Sequence, residues 1–120
     1  MFVHGWIPCW QNQKMDGTVT YIECEDGWRD APKALWNEAR WINGMDAWDY
    51  GIRDSKTIYC GHWHSAWGHC YLHHDANEYK DYPIKGRAVN YAPFVDDGIV
   101  ALDACTAISG IVNCVVLEEN

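Results

Sequence analysis

The run Thr57-Ile58-Tyr59 passes directly into Cys60-Gly61-His62-Trp63-His64, and this junction limits the fold more tightly than any other stretch. β-branched and aromatic residues followed by a glycine read as a short strand that stops abruptly. Two histidines one residue apart then leave the strand end together, so both imidazoles can reach one cavity once the loop departs from β geometry. A similar junction opens the chain, where Phe2-Val3 runs into His4-Gly5. Open α/β sheets collect functional side chains at the ends of neighbouring strands. Imidazole nitrogens gathered there suit Zn, Mn, Fe or Ni, and carboxylates are needed for harder ions. A His-x-His pair taken alone also fits a plain loop or core role.

The remaining pattern gives short elements. Residues 8 to 17 read as a loop and Thr18 to Ile22 as a hairpin arm. Asp30-Ala31-Pro32 opens a helix with proline in its first turn, where the missing N–H costs nothing. Leu35, Ala39 and Ile42 share one face of that helix, with Trp36 beside them, and Asn43-Gly44 closes it. Met45 to Tyr50 continues as a shorter helical turn. From Gly61 to Pro93 the sequence is rich in His, Asp, Tyr and Gly without periodicity, which predicts a long functional loop over about 61–97. Asp96-Asp97-Gly98 reads as a turn into a strand from Gly98 to Leu102, and Ile111 to Leu117 as a final strand. The strands are apolar runs rather than alternations, as in a sheet covered on both faces. One convincing helix cannot cover two faces, so the remaining layers are expected to be missing or to come from another chain.

At 120 residues the chain has room for one domain with a modest core. Eight Trp and seven Tyr can fill that core with rings, provided their N–H and O–H groups find partners. The net charge of -8 opposes nucleic acid as a partner. No apolar run is long enough to span a bilayer, so no membrane partner is expected. Six cysteines are an even number, but Met1 leads into Phe-Val-His-Gly-Trp without a basic segment or a long apolar stretch. Reduced thiols and a cytoplasmic location are therefore expected.

Phe2-Val3-His4-Gly5-Trp6-Ile7-Pro8, then Gly61-His62-Trp63-His64, then the stretch from Gly98 through Leu102-Asp103 to Gly110 resemble the last three motifs of the calcineurin-like metallophosphoesterases. The likeness is to the serine/threonine phosphatase-like side of that family, and the motifs fall in its order across essentially the whole chain. It implies an α/β fold: the C-terminal half of a four-layer αββα sandwich, incomplete as an isolated chain, in a truncated product or fragment starting at an internal Met. It also implies a two-metal phosphatase using Mn, Fe or Zn on a phosphorylated protein or nucleotide. Carried over, His4 and His62 bind one metal and His64 the second. An arginine would neutralise charge on the phosphoryl oxygens; Arg40, near the helix end beside Trp41, is the candidate catalytic residue, ahead of Arg29 and Arg87.

The family's N-terminal half supplies an Asp-x-His, a Gly-Asp with the bridging carboxylate, and a Gly-Asn-His, and none of these occurs here. Without the bridge a dinuclear site loses the group that holds its ions at working spacing. The chain alone is expected to hold at most one ion weakly, to be inactive, and to self-associate or pair with a missing N-terminal half. Two other readings stay open: a non-enzymatic metal-binding or structural module, and a small zinc domain using Cys60, His62, Cys70 and His74. His69, His73 and His74 read otherwise as rim residues, Asp75, Glu78 and Asp81 as a solvated face, and Trp6, Trp10, Trp63 and Trp67 as divided between cleft and core.

Overall fold

The computed structural model describes residues 1–74 and 89–118. Strands β1 (Trp10–Gln13) and β2 (Val19–Ile22) form an antiparallel hairpin, with Trp10 opposite Ile22 and Gln13 opposite Val19. A short 3-10 turn, Trp28–Asp30, leads to helices α1 (Lys33–Ala39) and α2 (Gly44–Tyr50). Strand β3 (Ile58–Cys60) follows, then helix α3 (Ser65–Tyr71), strands β4 (Phe94–Asp96) and β5 (Ile99–Ala101), and the single turn α4 (Thr106–Ser109).

The main sheet has the order β3-β5-β4. β3 runs parallel to β5, pairing Ile58 with Ile99 and Cys60 with Ala101, whereas β4 is antiparallel to β5. Phe2 bridges Tyr59 in parallel fashion and adds the first residues of the chain as a further edge. All three residues of β5 are buried, which fits a central strand built from Ile, Val and Ala. The sequence therefore predicts the α/β character of the chain correctly.

Helix α2 packs on β2 and β5, and α3 on β4. The core beneath them contains Trp6, Ile7, Ile42, Met45, Ile58, Phe94 and Ile99. Buried indoles meet the requirement for a partner: Trp6 Nε1 donates to the Ile52 carbonyl and Trp48 Nε1 to the Asp97 carbonyl, each at 2.8 Å. Tyr21 ties the hairpin to α2 by donating to Asp46 Oδ2 at 2.7 Å. Burial pushes both groups up, the phenol further still through that carboxylate. Trp10, by contrast, stands exposed on the hairpin.

Several local expectations need correction. Residues 8 to 17 are not all loop, because β1 lies among them. Pro32 sits at the N-cap of α1, just before its first turn. Asn43 does not end that helix; its Oδ1 accepts from the Asp46 N–H and caps α2. Gly44 is required by close approach, since a Cβ there would come 2.6 Å from the Trp6 ring and 2.8 Å from the Gly5 carbonyl oxygen.

The expected loop over 61–97 contains α3 and β4. Its helical period is hidden because the buried face of α3 is made of Ser65, Ala66 and Gly68 rather than large apolar residues. A Cβ on Gly68 would lie 2.5 Å from Phe94 Cδ2 and 2.6 Å from Met45 Sδ, so the helix needs that glycine to sit this close. The expected last strand, 111–117, forms no strand among the described residues, although its composition is β-prone. Its anchor is Asn113, whose side-chain amide donates to the carbonyls of Tyr91 and Leu102.

Candidate metal centre

Three chain segments end side by side at one edge of the sheet. The Val3 N–H donates to the Tyr59 carbonyl at 2.9 Å, and the Gly61 N–H to the His4 carbonyl at 2.8 Å. On the other side of β3, the Leu102 N–H donates to the Cys60 carbonyl at 2.9 Å. His4, His62 and Asp103 therefore each follow within two residues of a paired parallel position. This is where an α/β sheet offers side chains to a ligand.

The backbone at His62 is unusual. Its φ is +67°, and the Trp63 N–H reaches back to the Gly61 carbonyl at 2.8 Å, closing a three-residue turn about the histidine. A non-glycine residue in that region carries strain, and such residues cluster at functional sites. The turn breaks the β geometry at once and lets His64 serve as the N-cap residue of α3. The start of α3 is held to the end of β5 by the Ser65 N–H on the Asp103 carbonyl at 2.7 Å.

The rings of His4 and His62 approach to 5.0 Å between centroids at 44°. Trp41 meets both in perpendicular fashion, 5.1 Å from His62 and 6.1 Å from His4. His62 is held below its ordinary 6.5, first by burial and next by the charge on His4; Asp103 opposes this and His64 adds to it. These groups are thus close enough to feel one another. The neutral imidazole favoured here is the form that ligates a metal.

Asp103 Oδ1 accepts from the Cys105 N–H at 2.8 Å and shapes the entry to α4. Arg40 caps the end of α1, exposed, with Nε donating to the Asn37 carbonyl at 3.2 Å. Its guanidinium carbon lies 5.3 Å from the Trp41 ring centroid. Sequence reasoning overlooked Trp41 itself and the part played by Gly5. A Cβ on Gly5 would run into the carbonyl oxygens of Ala39 and Arg40, so this glycine lets the end of α1 close over the His4 strand end. Its signal was only its place directly after His4.

The other histidines go elsewhere. His69 Nε2 pairs with the Ala92 carbonyl at 2.9 Å and His73 Nε2 with Asp96 Oδ2 at 2.7 Å, while the His73 ring lies 4.4 Å from Phe94. They fasten the C-terminal end of α3 to β4 and its flank. Cys60 faces the core, 4% exposed, and burial pushes its thiol up to about 12, away from the thiolate a metal needs. Cys70 is half-buried on α3, and His74 is exposed beyond its end. Arg29 pairs with Asp54 at 3.4 Å. Asp75, Glu78, Asp81 and Arg87 lie outside the described residues.

With the side chains as they lie, the described residues contain no three His, Cys, Asp or Glu groups placed to hold a metal ion. None of the described helices is long and apolar enough to cross a membrane. No protein family, curated protein or solved structure matches this chain.

Proposed function

We propose that this chain carries the histidine side of a metal-dependent phosphoester hydrolase of the calcineurin-like metallophosphoesterase kind, and that it is inactive alone. The observation that carries the reading is the 5.0 Å approach of His4 and His62 at the ends of adjacent parallel segments. Among the described residues no hydrogen bond occupies a ring nitrogen of either one. In this reading His4 and His62 take one divalent ion (Mn, Fe or Zn) and His64, two residues further on, takes a second.

Divalent ions, when bound, supply Lewis-acid stabilisation of the phosphoryl oxygens and activation of water. The chain's own residues do the rest. The strained turn at His62 fixes where its imidazole points. Trp41, in edge contact with both rings, limits their freedom. Arg40, beside Trp41, brings positive charge to a phosphate in a protein of net charge -8.

The same reading makes the sheet half of an αββα sandwich. Two features support it: among the described residues the β-prone run 111–117 has no strand partner, and Phe2 is 67% exposed on the edge segment. Unpaired strand edges recruit other strands, so the chain is expected to self-associate when its other half is absent. A cytoplasmic setting fits the free thiols of Cys9, Cys24, Cys60, Cys70 and Cys114.

The test combines manganese calorimetry with a phosphatase assay. The chain is expected to bind one manganese ion weakly, to lose that binding in His4→Ala, and to show no turnover of p-nitrophenyl phosphate. Manganese binding indifferent to His4→Ala would remove the metal site. Robust turnover by the chain alone would refute its incompleteness.

A further inference from the structure

Trp10 and Trp36 are exposed away from the strand ends, whereas other indoles differ in their relation to that site. Trp6 and Trp48 are buried with their N–H groups on carbonyls, as expected of core rings. Trp41 is 60% exposed, Trp63 38% and Tyr71 46%, although each is large enough to bury well. These exposed rings are not scattered. Trp63 Nε1 donates to the Trp41 carbonyl at 3.4 Å, Trp63 and Trp67 lie 6.4 Å apart, and Trp67 and Tyr71 5.4 Å. The run begins against the imidazoles of His4 and His62 and leads away from them along α3. Trp67 is partly buried against the core, so the exposed rings beside the histidines are Trp41 and Trp63, and exposed aromatic surface of this kind marks a binding site.

We propose that Trp41 and Trp63 form a stacking subsite for the purine base of a nucleotide whose phosphate lies at the His4 and His62 strand ends. The phosphate part of this inference rests on the metal-site reading above; the ring part does not. Both imidazoles meet Trp41 at steep angles, 89° and 70°, so neither covers it as a flat-stacked ring would. The Arg40 guanidinium carbon lies over one face of Trp41, 5.3 Å from its centroid, so the base would stack on the other face with a cation close by. That placement offsets the repulsion a chain of net charge -8 otherwise exerts on an anion. A polynucleotide would face that repulsion along its whole length, whereas a single nucleotide brings its charge only to the surroundings of Arg40.

A nucleobase fits better than an aryl ester. In an aryl phosphate the ring is joined through one oxygen and reaches only the residue nearest the imidazoles. A sugar spacer carries the base outward, toward Trp63, which directly follows His62 and continues the run to Trp67. Stacking on indole is tolerant of base identity, so size of the π-face decides and purines gain most.

Calorimetric titration at saturating manganese tests this, with adenosine 5′-monophosphate, ribose 5-phosphate and phenyl phosphate as probes. The nucleotide is expected to bind roughly 5- to 100-fold more tightly than ribose 5-phosphate, the span of base–aromatic stacking. Trp41→Ala and Trp63→Ala should each reduce that gap, and Trp41→Phe should retain most of it. Equal affinities, or a gap that survives both alanine variants, would overturn the subsite. Phenyl phosphate binding as tightly as the nucleotide would overturn the assignment to a base. Adenosine titrated without metal separates the two readings. Trp41-dependent adenosine binding in a chain that binds no manganese would keep the ring subsite and discard the metal site. Manganese binding without any base preference would do the reverse.

Discussion

Two pairs of histidines flank opposite ends of α3, and they have little in common beyond residue type. His69 and His73, spaced four apart at the C-terminal end of the helix, each place Nε2 on an acceptor, the Ala92 carbonyl and the Asp96 carboxylate. His4 and His62 come from separate segments, face each other at 5.0 Å, and hydrogen-bond to nothing through their rings among the described residues. In the first pair each Nε2 is engaged in holding α3 to β4 and its flank. The second has nitrogens left for a ligand. Histidine density in a sequence therefore says little about metal binding; the partners of the ring nitrogens decide it.

The sharpest way to break this contrast is to remove one member from each pair. His62→Ala should weaken zinc binding at least 10- to 100-fold, the loss seen when even an outer-shell partner is removed. His69→Ala should leave zinc binding unchanged in the same calorimetric titration. Equal losses in both variants would erase the distinction.

A second substitution acts on the scaffold of one pair only. Gly5→Ala drives a Cβ into the backbone carbonyls of Ala39 and Arg40. It should lower stability by about 1–3 kcal/mol, the usual range for overpacking, and weaken zinc binding as Trp41 moves off the imidazoles. Urea unfolding and zinc titration measure the two effects. A Gly5→Ala protein with unaltered zinc affinity would show that the closeness of α1 to His4 is irrelevant to the site.

The smallest effect belongs to the other pair. The His73 and Asp96 side chains are 38% and 37% exposed, so breaking their ion pair in His73→Ala should cost only about 0.2–1 kcal/mol. The hydrogen bond from His73, followed by that from the Asp97 N–H, holds the Asp96 carboxyl below its ordinary 3.8. A carboxyl depressed in the folded state stabilises fully above its unfolded value. That contribution is lost as the pH falls through the folded value. His73→Ala should therefore lower stability near neutrality, and its difference from the parent protein should shrink as the pH falls below about 4, which flattens the acid limb. Urea midpoints across pH 2 to 7 would reveal an unchanged acid limb if the pair contributes nothing.

Much of the strand-end geometry could be read from the chain because it is local. Thr57 to Cys60 is apolar and β-prone, Gly61 breaks it, and the histidines must leave the sheet there. The pairing of Phe2 with Tyr59 was only suggested by the likeness of the two junctions, since parallel register carries no local signature. Helix α3 was illegible for a different reason: its buried face is Ser65, Ala66 and Gly68, small residues that give no apolar period but allow Phe94 and Met45 to come close. Asn43 misled because an Asn-Gly pair can end one helix or begin the next. Here its side chain accepts from Asp46 and settles the matter as a cap. Trp41 escaped notice because exposure and perpendicular contact with two imidazoles are tertiary facts.

The most direct measurement is a nitrogen-15 NMR titration of the histidine rings with zinc. One equivalent of zinc is expected to shift the ring nitrogens of His4 and His62 together while those of His69 and His73 stay in place. Shifts confined to His69 and His73, or His4 and His62 unmoved at saturation, would contradict the assignment of the metal to the strand ends.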